Sequence, residues 1–113
     1  MREIKAIIQP FLLSKVVNAL KEYEDLPGVT VSEVRGFGRA RAQNAAEKVV
    51  EDGVDYSRKT KLEIVVPEQL VEEVLEIIRT HAHTGRPGDG KIFVYGIDEV
   101  VKIRTGERGE AAI

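Results

Sequence analysis

Residues 59–78 read KTKLEIVVPEQLVEEVLEII, and this stretch decides the fold class. Its first half alternates, with Leu62, Ile64 and Val66 on one face, which is the period of a β-strand buried on one side. Pro67 follows, a residue common at the first position of a helix. The second half then repeats apolar residues at helical spacing, at Leu70, Val71, Val74, Leu75 and Ile78. The stretch therefore predicts a strand, Lys59 to Val66, followed directly by an amphipathic helix.

The same order of elements occurs near the N-terminus. Glu3 to Gln9 alternates as a strand, and Pro10 ends it because proline lacks the N–H that a β-ladder needs. An amphipathic helix follows, with its apolar positions at Leu13, Val16, Val17 and Leu20. Strands are also predicted at Val29 to Gly36 and at Lys91 to Val94. Two strand–helix–strand units predict an α+β fold, a split β-α-β sandwich with both helices on one face of an antiparallel sheet.

In such a fold the second face of the sheet has no helices to cover it. The predicted strands place Ile7, Val65 and Val94 among the residues that would add apolar surface there. An uncovered sheet face of this kind usually marks an association surface. We therefore expect the chain to form a homo-oligomer.

The composition narrows the function classes. A chain of 113 residues fits one compact domain, and a formal net charge of -2 argues against general nucleic-acid binding. With no cysteine there is no disulfide and no thiolate for a metal or for catalysis. No apolar run approaches the ~20 residues of a membrane span, and no signal peptide precedes the first strand. We therefore expect a cytoplasmic protein that does not insert into a membrane.

A glycine-rich segment, TGRPGDGKIFV over residues 84–94, leads into the fourth predicted strand. Gly88 and Gly90 lack a Cβ, so a ligand can approach their backbone N–H groups closely, and Lys91 adds a cation. This pattern is typical of a phosphate site. An Asp-Gly pair between extended segments is also common in a hairpin turn, so the segment by itself fits either interpretation.

Two further segments add cations. In Gly36-Phe37-Gly38-Arg39 the glycines free the backbone, and the guanidinium of Arg39 can bind a phosphate bidentately. Val100 to Arg104 reads as extended, which would place Lys102 and Arg104 on the same side of a strand. Together the three segments carry enough positive charge to balance the negative charge of a nucleoside polyphosphate. No Walker or GxGxxG motif is present, so the nucleotide is expected to act as a signal.

The connection over residues 39–58 is long and lacks a strong period. Such connections in compact domains are usually functional or mobile, although a disordered segment with no role is the alternative. Ala, Glu and Lys favour a short helix across Ala42 to Val50.

Over almost its whole length the chain resembles the P-II signal-transduction proteins, small trimeric nitrogen regulators. The GDGKIFV and RTGE runs are the most specific parts of the resemblance. The full set of matching segments is Ile7 to Phe11, Thr30 to Arg39, Lys61 to Pro67, Thr84 to Gly85, Gly88 to Val94, Ile103 to Glu107 and Ala111 to Ile113.

The resemblance implies a ferredoxin-like homotrimer, one P-II-like domain over residues 1–113, with ATP or ADP in the clefts between subunits. It implies a T-loop at about residues 38–58 that docks onto a target enzyme, transporter or regulator. It also implies a phosphate-binding B-loop at about 84–91 and a C-terminal loop at about 102–113. Carried over by position, the nucleotide-binding residues are Thr30, Glu63 and Val65 at the adenosine, and Gly38, Arg39, Gly88, Asp89, Gly90, Lys91, Lys102 and Arg104 at the phosphates.

Several positions depart from the family pattern. Lys102 stands where the family commonly has Arg, which keeps the charge but loses the bidentate fork. Ala40 stands where the family has a glutamine that helps to hold magnesium, which argues against the magnesium–2-oxoglutarate mode because a methyl group cannot coordinate a hard cation. Lys59 matches the lysine that pairs with the 2-oxoglutarate carboxylate and stays a candidate contact. Asp52 aligns with the uridylylated tyrosine, and Val50 with a phosphorylated serine. We therefore expect nucleotide sensing without covalent control.

Other functions remain as alternatives. A regulatory binding protein is expected and not an enzyme, since no general base is evident among the phosphate residues, although Asp89 would be the residue to test for slow ATPase activity. A metal-response or transport-associated regulator is the other alternative. His81 and His83 could join a metal site, but with no cysteine and no third histidine they fit helix-terminal residues better, and no metal site is predicted.

Overall fold

The computed structural model describes residues 1–37 and 48–113. These residues form five strands and two α-helices. The strands are β1 (Arg2–Ile8), β2 (Thr30–Gly36), β3 (Lys48–Glu51), β4 (Val54–Val66) and β5 (Lys91–Gly96); the helices are α1 (Leu13–Lys21) and α2 (Val71–Ala82). A short 3₁₀ turn precedes each α-helix, and a third, Gly109–Ala112, lies near the C-terminus.

The strands form one antiparallel sheet in the order β2-β4-β1-β5. Ile4 of β1 lies opposite Ile64 of β4 and Val94 of β5, which fixes the register of the centre. The units β1–α1–β2 and β4–α2–β5 thus interleave, because their first strands are neighbours. The predicted α+β, ferredoxin-like sandwich with two helices on one face is confirmed.

The hydrophobic core lies between the two helices and one face of β1 and β4. Every second residue is buried over Ile4 to Ile8 of β1 and over the second half of β4, as the alternation predicted: Ile4, Ala6 and Ile8 in β1, and Leu62, Ile64 and Val66 in β4. The helices contribute Val16, Leu20, Val74 and Ile78. Each large aliphatic side chain buried there contributes about 1.5–3 kcal/mol of transfer free energy, which holds the strands that position the site.

The opposite face of the sheet, which we term the open face, differs in part from the prediction. Ile7 and Val65 lie on it, but Val94 does not, because it pairs with the buried Ile4 and so points to the helix side. The open face instead carries Phe93 and Tyr95, whose rings lie 5.8 Å and 4.8 Å from the Lys5 ammonium. Its apolar character is therefore aromatic and concentrated on the edge strand β5.

A β-hairpin extends from the sheet where a helix was expected. Residues 42–47 lie outside the described part, but Lys48–Glu51 is a strand paired with residues 54–57 of β4, so the predicted helix is wrong at that end. Asp52 and Gly53 form the turn with φ of 49° and 77°, the left-handed conformation that a two-residue hairpin turn requires. We term β3 with residues 54–57 the arm. β4 accordingly begins at Val54, not at Lys59.

Candidate functional site

The glycine-rich loop between α2 and β5 is organised by one carboxylate. Asp89 accepts hydrogen bonds from the backbone N–H of Thr84 at 2.8 Å and of Gly85 at 2.9 Å, and also from the Thr84 hydroxyl. Burial alone would raise the pKa of Asp89, but these hydrogen bonds outweigh it and hold the pKa below its ordinary value. An ionised Asp89 therefore closes the loop on itself, and both of its oxygens are occupied by loop donors.

Gly90 brings this loop into contact with β1. Its φ is +95°, and a Cβ built at this position would lie 1.7 Å from the carbonyl oxygen of Ile7. Gly88 also has a positive φ, of 98°. Only glycine fits the contact at residue 90. This glycine is therefore required for the close packing of the loop against β1, whether or not a ligand also binds there.

Two side chains from the sheet converge on the same carbonyl group of the loop. The oxygen of Gly88 accepts a hydrogen bond from Gln9 Nε2 at 2.8 Å and another from the ammonium of Lys59. Burial lowers the pKa of Lys59, and the charge of Asp89 partly opposes this effect. The end of β1, the middle of β4 and the loop are thus tied together at one point.

Cations line the open face beside this junction. Ile7 lies opposite Lys61 on one side and Lys91 on the other, so the two ammonium groups flank it on the same face. Lys61 is 3.5 Å from Glu63, whereas Lys91 forms no ion pair with any residue in the described part of the chain. Lys91 is thus available for an external anion beside the glycine loop.

The predicted adenosine residues lie elsewhere on the sheet. Thr30 pairs with Glu63, and Val65 is two residues further along the same face of β4. Thr30 is on the edge strand β2, whereas Lys91 is on the opposite edge strand β5, three strand spacings or roughly 14 Å away. Within one copy, Thr30 and Lys91 therefore lie on opposite edge strands of the sheet.

The C-terminal cations do not lie on a strand, contrary to the prediction. Val101 forms a bridge with Arg108, and the chain turns between them: the N–H of Gly106 donates to the Lys102 carbonyl at 2.8 Å, and the N–H of Lys102 donates to the Glu107 carbonyl at 2.9 Å. The alternation argument for Lys102 and Arg104 is thus wrong. Both still project from the same turn, where the Lys102 ammonium is 3.5 Å from Glu107.

The predicted residues Gly38, Arg39 and Ala40 lie outside the described part. Beside this segment, the arm contacts the end of β2 through side chains to which the sequence analysis assigned no role. Arg35 forms an ion pair with Glu51 at 2.7 Å and lies 5.9 Å from the ring of Tyr56. Phe37 meets the same ring edge-on, at 6.1 Å between centroids. The contacts between β2 and the arm could be recognised only once the pairing of β4 with β2 and β3 was known.

The histidines fit a structural role at the end of α2. Nδ1 of His81 is 2.7 Å from the carbonyl oxygen of Ile77, within hydrogen-bond distance, and His83 is exposed. Among residues 1–37 and 48–113, no group of three His, Cys, Asp or Glu side chains is placed to hold a metal ion. In that same part, no helix is long and apolar enough to cross a membrane.

The fold and site define a ferredoxin-like protein with a glycine-rich loop that leads into the edge strand β5 at Lys91. The model of the family described as "Nitrogen regulatory protein P-II" matches residues 1–107 of the chain. The chain is 50% identical over 113 residues to the nitrogen regulatory protein P-II of Rhodospirillum rubrum. It is 46% identical over 113 residues to nitrogen regulatory protein P-II 1 of Escherichia coli. Each alignment covers 100% of this chain and 100% of the relative. The chain therefore belongs to the P-II family of nitrogen regulatory proteins, as its sequence predicted.

A solved structure agrees with this assignment. The crystal structure of Arabidopsis thaliana PII bound to citrate superposes with a TM-score of 0.79 at 40% identity, covering 99% of this chain and 91% of that one. The relatives are named as regulators, in line with the expectation that this chain is not an enzyme.

Proposed function

We propose that this chain is a homotrimeric sensor of adenine nucleotides, which binds ATP or ADP between subunits and controls a target protein through its T-loop. The observation that carries the proposal is the loop at Gly88–Lys91. The Lys91 ammonium has no ion-pair partner among residues 1–37 and 48–113, Gly88 and Gly90 have positive φ, and the Asp89 carboxylate is turned inward. These features leave the outer surface of the loop suited to an anion. The protein is one domain over residues 1–113, with the T-loop at about 38–58, the B-loop at about 84–91 and the C-terminal loop at about 102–113.

The separation of the two residue groups supports a site shared between copies. Thr30 lies on the edge strand β2, next to Glu63 and Val65 of β4, and Lys91 of the B-loop lies on the opposite edge strand β5. When copies pack side by side, the adenosine-binding residues of one copy lie next to the phosphate-binding residues of the next copy. The exposed rings of Phe93 and Tyr95 on the open face support the same packing, because burying them would stabilise association.

In the proposed site, Gly88, Gly90 and Lys91 bind the phosphates, with Lys102 and Arg104 from the C-terminal loop and Gly38 and Arg39 from the base of the T-loop. Asp89 orders the B-loop and does not take a proton, because its oxygens are occupied by Thr84 and Gly85. This arrangement favours binding over hydrolysis. No nucleic acid enters the proposal, in view of the net charge of -2.

Lys59 offers a route from the nucleotide to the T-loop. Its ammonium contacts Gly88, and its strand continues directly into the arm. A ligand that moves the B-loop changes the partners of Lys59, and so favours some arm positions over others. Lys59 is also the candidate contact for 2-oxoglutarate, but with Ala40 in place of a magnesium ligand we expect little response to magnesium and 2-oxoglutarate.

Calorimetric titration of the full-length chain with ATP and ADP tests the proposal. We expect saturable binding that Lys91→Ala and Arg104→Ala each weaken about tenfold or more, while Lys21→Ala, an exposed lysine at the end of α1, leaves it unchanged. Repeating the titration with magnesium and 2-oxoglutarate should change the affinity little. Absence of nucleotide binding, or equal effects of the three variants, would contradict the proposal.

A further inference from the structure

A polar notch lies where the arm leaves the sheet, with its cross-strand pairs Glu33–Thr60 and Arg35–Arg58 on the helix side. It encloses about 490 Å³ and is lined by Pro10, Glu33, Arg35, Glu51, Arg58 and Thr60, with Val34 and Lys59. Pockets for small molecules fall in this size range. The notch is thus large enough for a metabolite. Its charged residues other than Lys59 are not among the nucleotide-binding residues.

The register shows that the charged residues of the notch share one face. Glu33 lies opposite Thr60, and Arg35 lies opposite Arg58, in two successive rows of the β2–β4 ladder. Thr60 also lies opposite the buried Ile8, which places both rows on the helix side. Lys59 comes between Arg58 and Thr60, so its side chain points to the open face, where its ammonium contacts Gly88.

The strand pairing of β4 is interrupted beside the notch. β1 ends at Ile8 opposite Thr60, and β3 begins at Lys48 opposite Ser57. Arg58 and Lys59 therefore have a strand partner on the β2 side but none in the described ladders on the other side.

The charges in the notch are incompletely paired. Arg35 and Arg58 are like charges in directly opposite positions, an arrangement that destabilises a sheet unless it is compensated. Glu51 compensates Arg35, at 2.7 Å. Within residues 1–37 and 48–113, neither Arg58 nor Glu33 has an ion-pair partner within 4.0 Å, and they do not reach each other.

We propose that the notch binds a free α-amino acid, with the carboxylate of the ligand on Arg58 and its ammonium on Glu33. The two residues are diagonal neighbours on adjacent strands, about 7–8 Å apart at the backbone, a span that one small molecule with a hydrogen bond at each end can bridge. A ligand with both charges satisfies both residues. A simple anion would pair with Arg58 but would meet the unpaired carboxylate of Glu33.

The test is an NMR titration of the full-length ¹⁵N-labelled chain with L-alanine, which presents the two charged groups and little else. We expect saturable shifts at the amides of Glu33, Arg35 and Thr60. Propionate, which lacks the ammonium, and ethylamine, which lacks the carboxylate, should each bind at least about tenfold more weakly. If propionate binds as well as L-alanine, or if L-alanine produces no shifts at the notch, the proposal is overturned.

Variants connect the binding to the two charges. Arg58→Gln and Glu33→Gln should each weaken L-alanine binding at least about tenfold, whereas Lys21→Gln and Glu22→Gln, an exposed pair on the far end of α1, should not. The double exchange of Glu33→Arg with Arg58→Glu should bind better than either exchange alone. ATP affinity should stay unchanged in all of them, which separates this site from the nucleotide site. Undiminished L-alanine binding in both glutamine variants would refute the assignment.

Discussion

Gly90 is the position at which the B-loop tolerates least change. A methyl group there would overlap the carbonyl oxygen of Ile7, at 1.7 Å, and the φ of +95° is costly for any other residue. We expect Gly90→Ala to lower the free energy of unfolding by about 2–3 kcal/mol, measured by urea denaturation. Gly28→Ala is the matched control, because nothing lies within 4 Å of its Cβ position. Equal stability of the two variants would mean that the loop moves freely away from β1.

Asp89 gives the loop a defined dependence on pH. Hydrogen-bond donors from Thr84 and Gly85 hold the pKa of Asp89 below its ordinary value. The stability that ionised Asp89 contributes to the fold is therefore complete above the unfolded pKa of about 3.9, and it is lost as the pH falls through the lower folded pKa. We expect Asp89→Asn to be less stable than the original chain at pH 7, with the difference shrinking below about pH 4. Urea unfolding at several pH values measures this. A difference that stays constant down to pH 2 would contradict an ionised Asp89.

The arm depends on its turn, because little of it is buried. Val50 and Val54 are exposed, and Gly53 holds the turn with a φ of +77°. We expect Gly53→Ala to cost about 1–2 kcal/mol locally and to speed amide hydrogen exchange at Val50 and Val54, without affecting the core strands. Gly106→Ala is the matched control, with a φ of +76° and equally open space, but in the C-terminal turn. Faster exchange in the arm of both variants would rule out a local effect.

The elements that the sequence predicted are those that bury one face. β1, the second half of β4 and both α-helices were predictable because burial imposes a period on Ile4, Ile8, Leu62 and Ile64. Residues 50–55, which form the end of β3, the turn and the start of β4, are exposed, so burial imposes no such period there, and Ala, Glu and Lys favoured a helix instead. The C-terminal segment was misjudged because its turn depends on backbone hydrogen bonds of Lys102 and Gly106.

The candidate site was predictable in its residue types but not in its connections. The glycines and Lys91 were evident from composition and spacing. The contacts of Gly88 with Gln9 and Lys59 were not, because they join residues that are 79 and 29 positions apart in the chain. The unpaired Arg58 and Glu33 were hidden for the same reason, since only the register of β2 against β4 makes them neighbours. Long-range pairing thus determines which charges are satisfied within the fold and which remain for a ligand.

The assembly of the molecule is expected to depend on the open face, where Phe93 and Tyr95 are 42% exposed in a single copy. Placing a charge at this surface opposes its burial, so we expect Phe93→Asp to convert the proposed trimer to monomers, measured by light scattering after size-exclusion chromatography. Phe11→Asp is the control, because Phe11 is 66% exposed but lies outside the sheet, in the turn before α1. The Phe93 variant should also lose ATP binding, since separate copies cannot bring Thr30 of one chain to Lys91 of another. A Phe93→Asp monomer that binds ATP with unchanged affinity would show that the nucleotide site is complete within one chain.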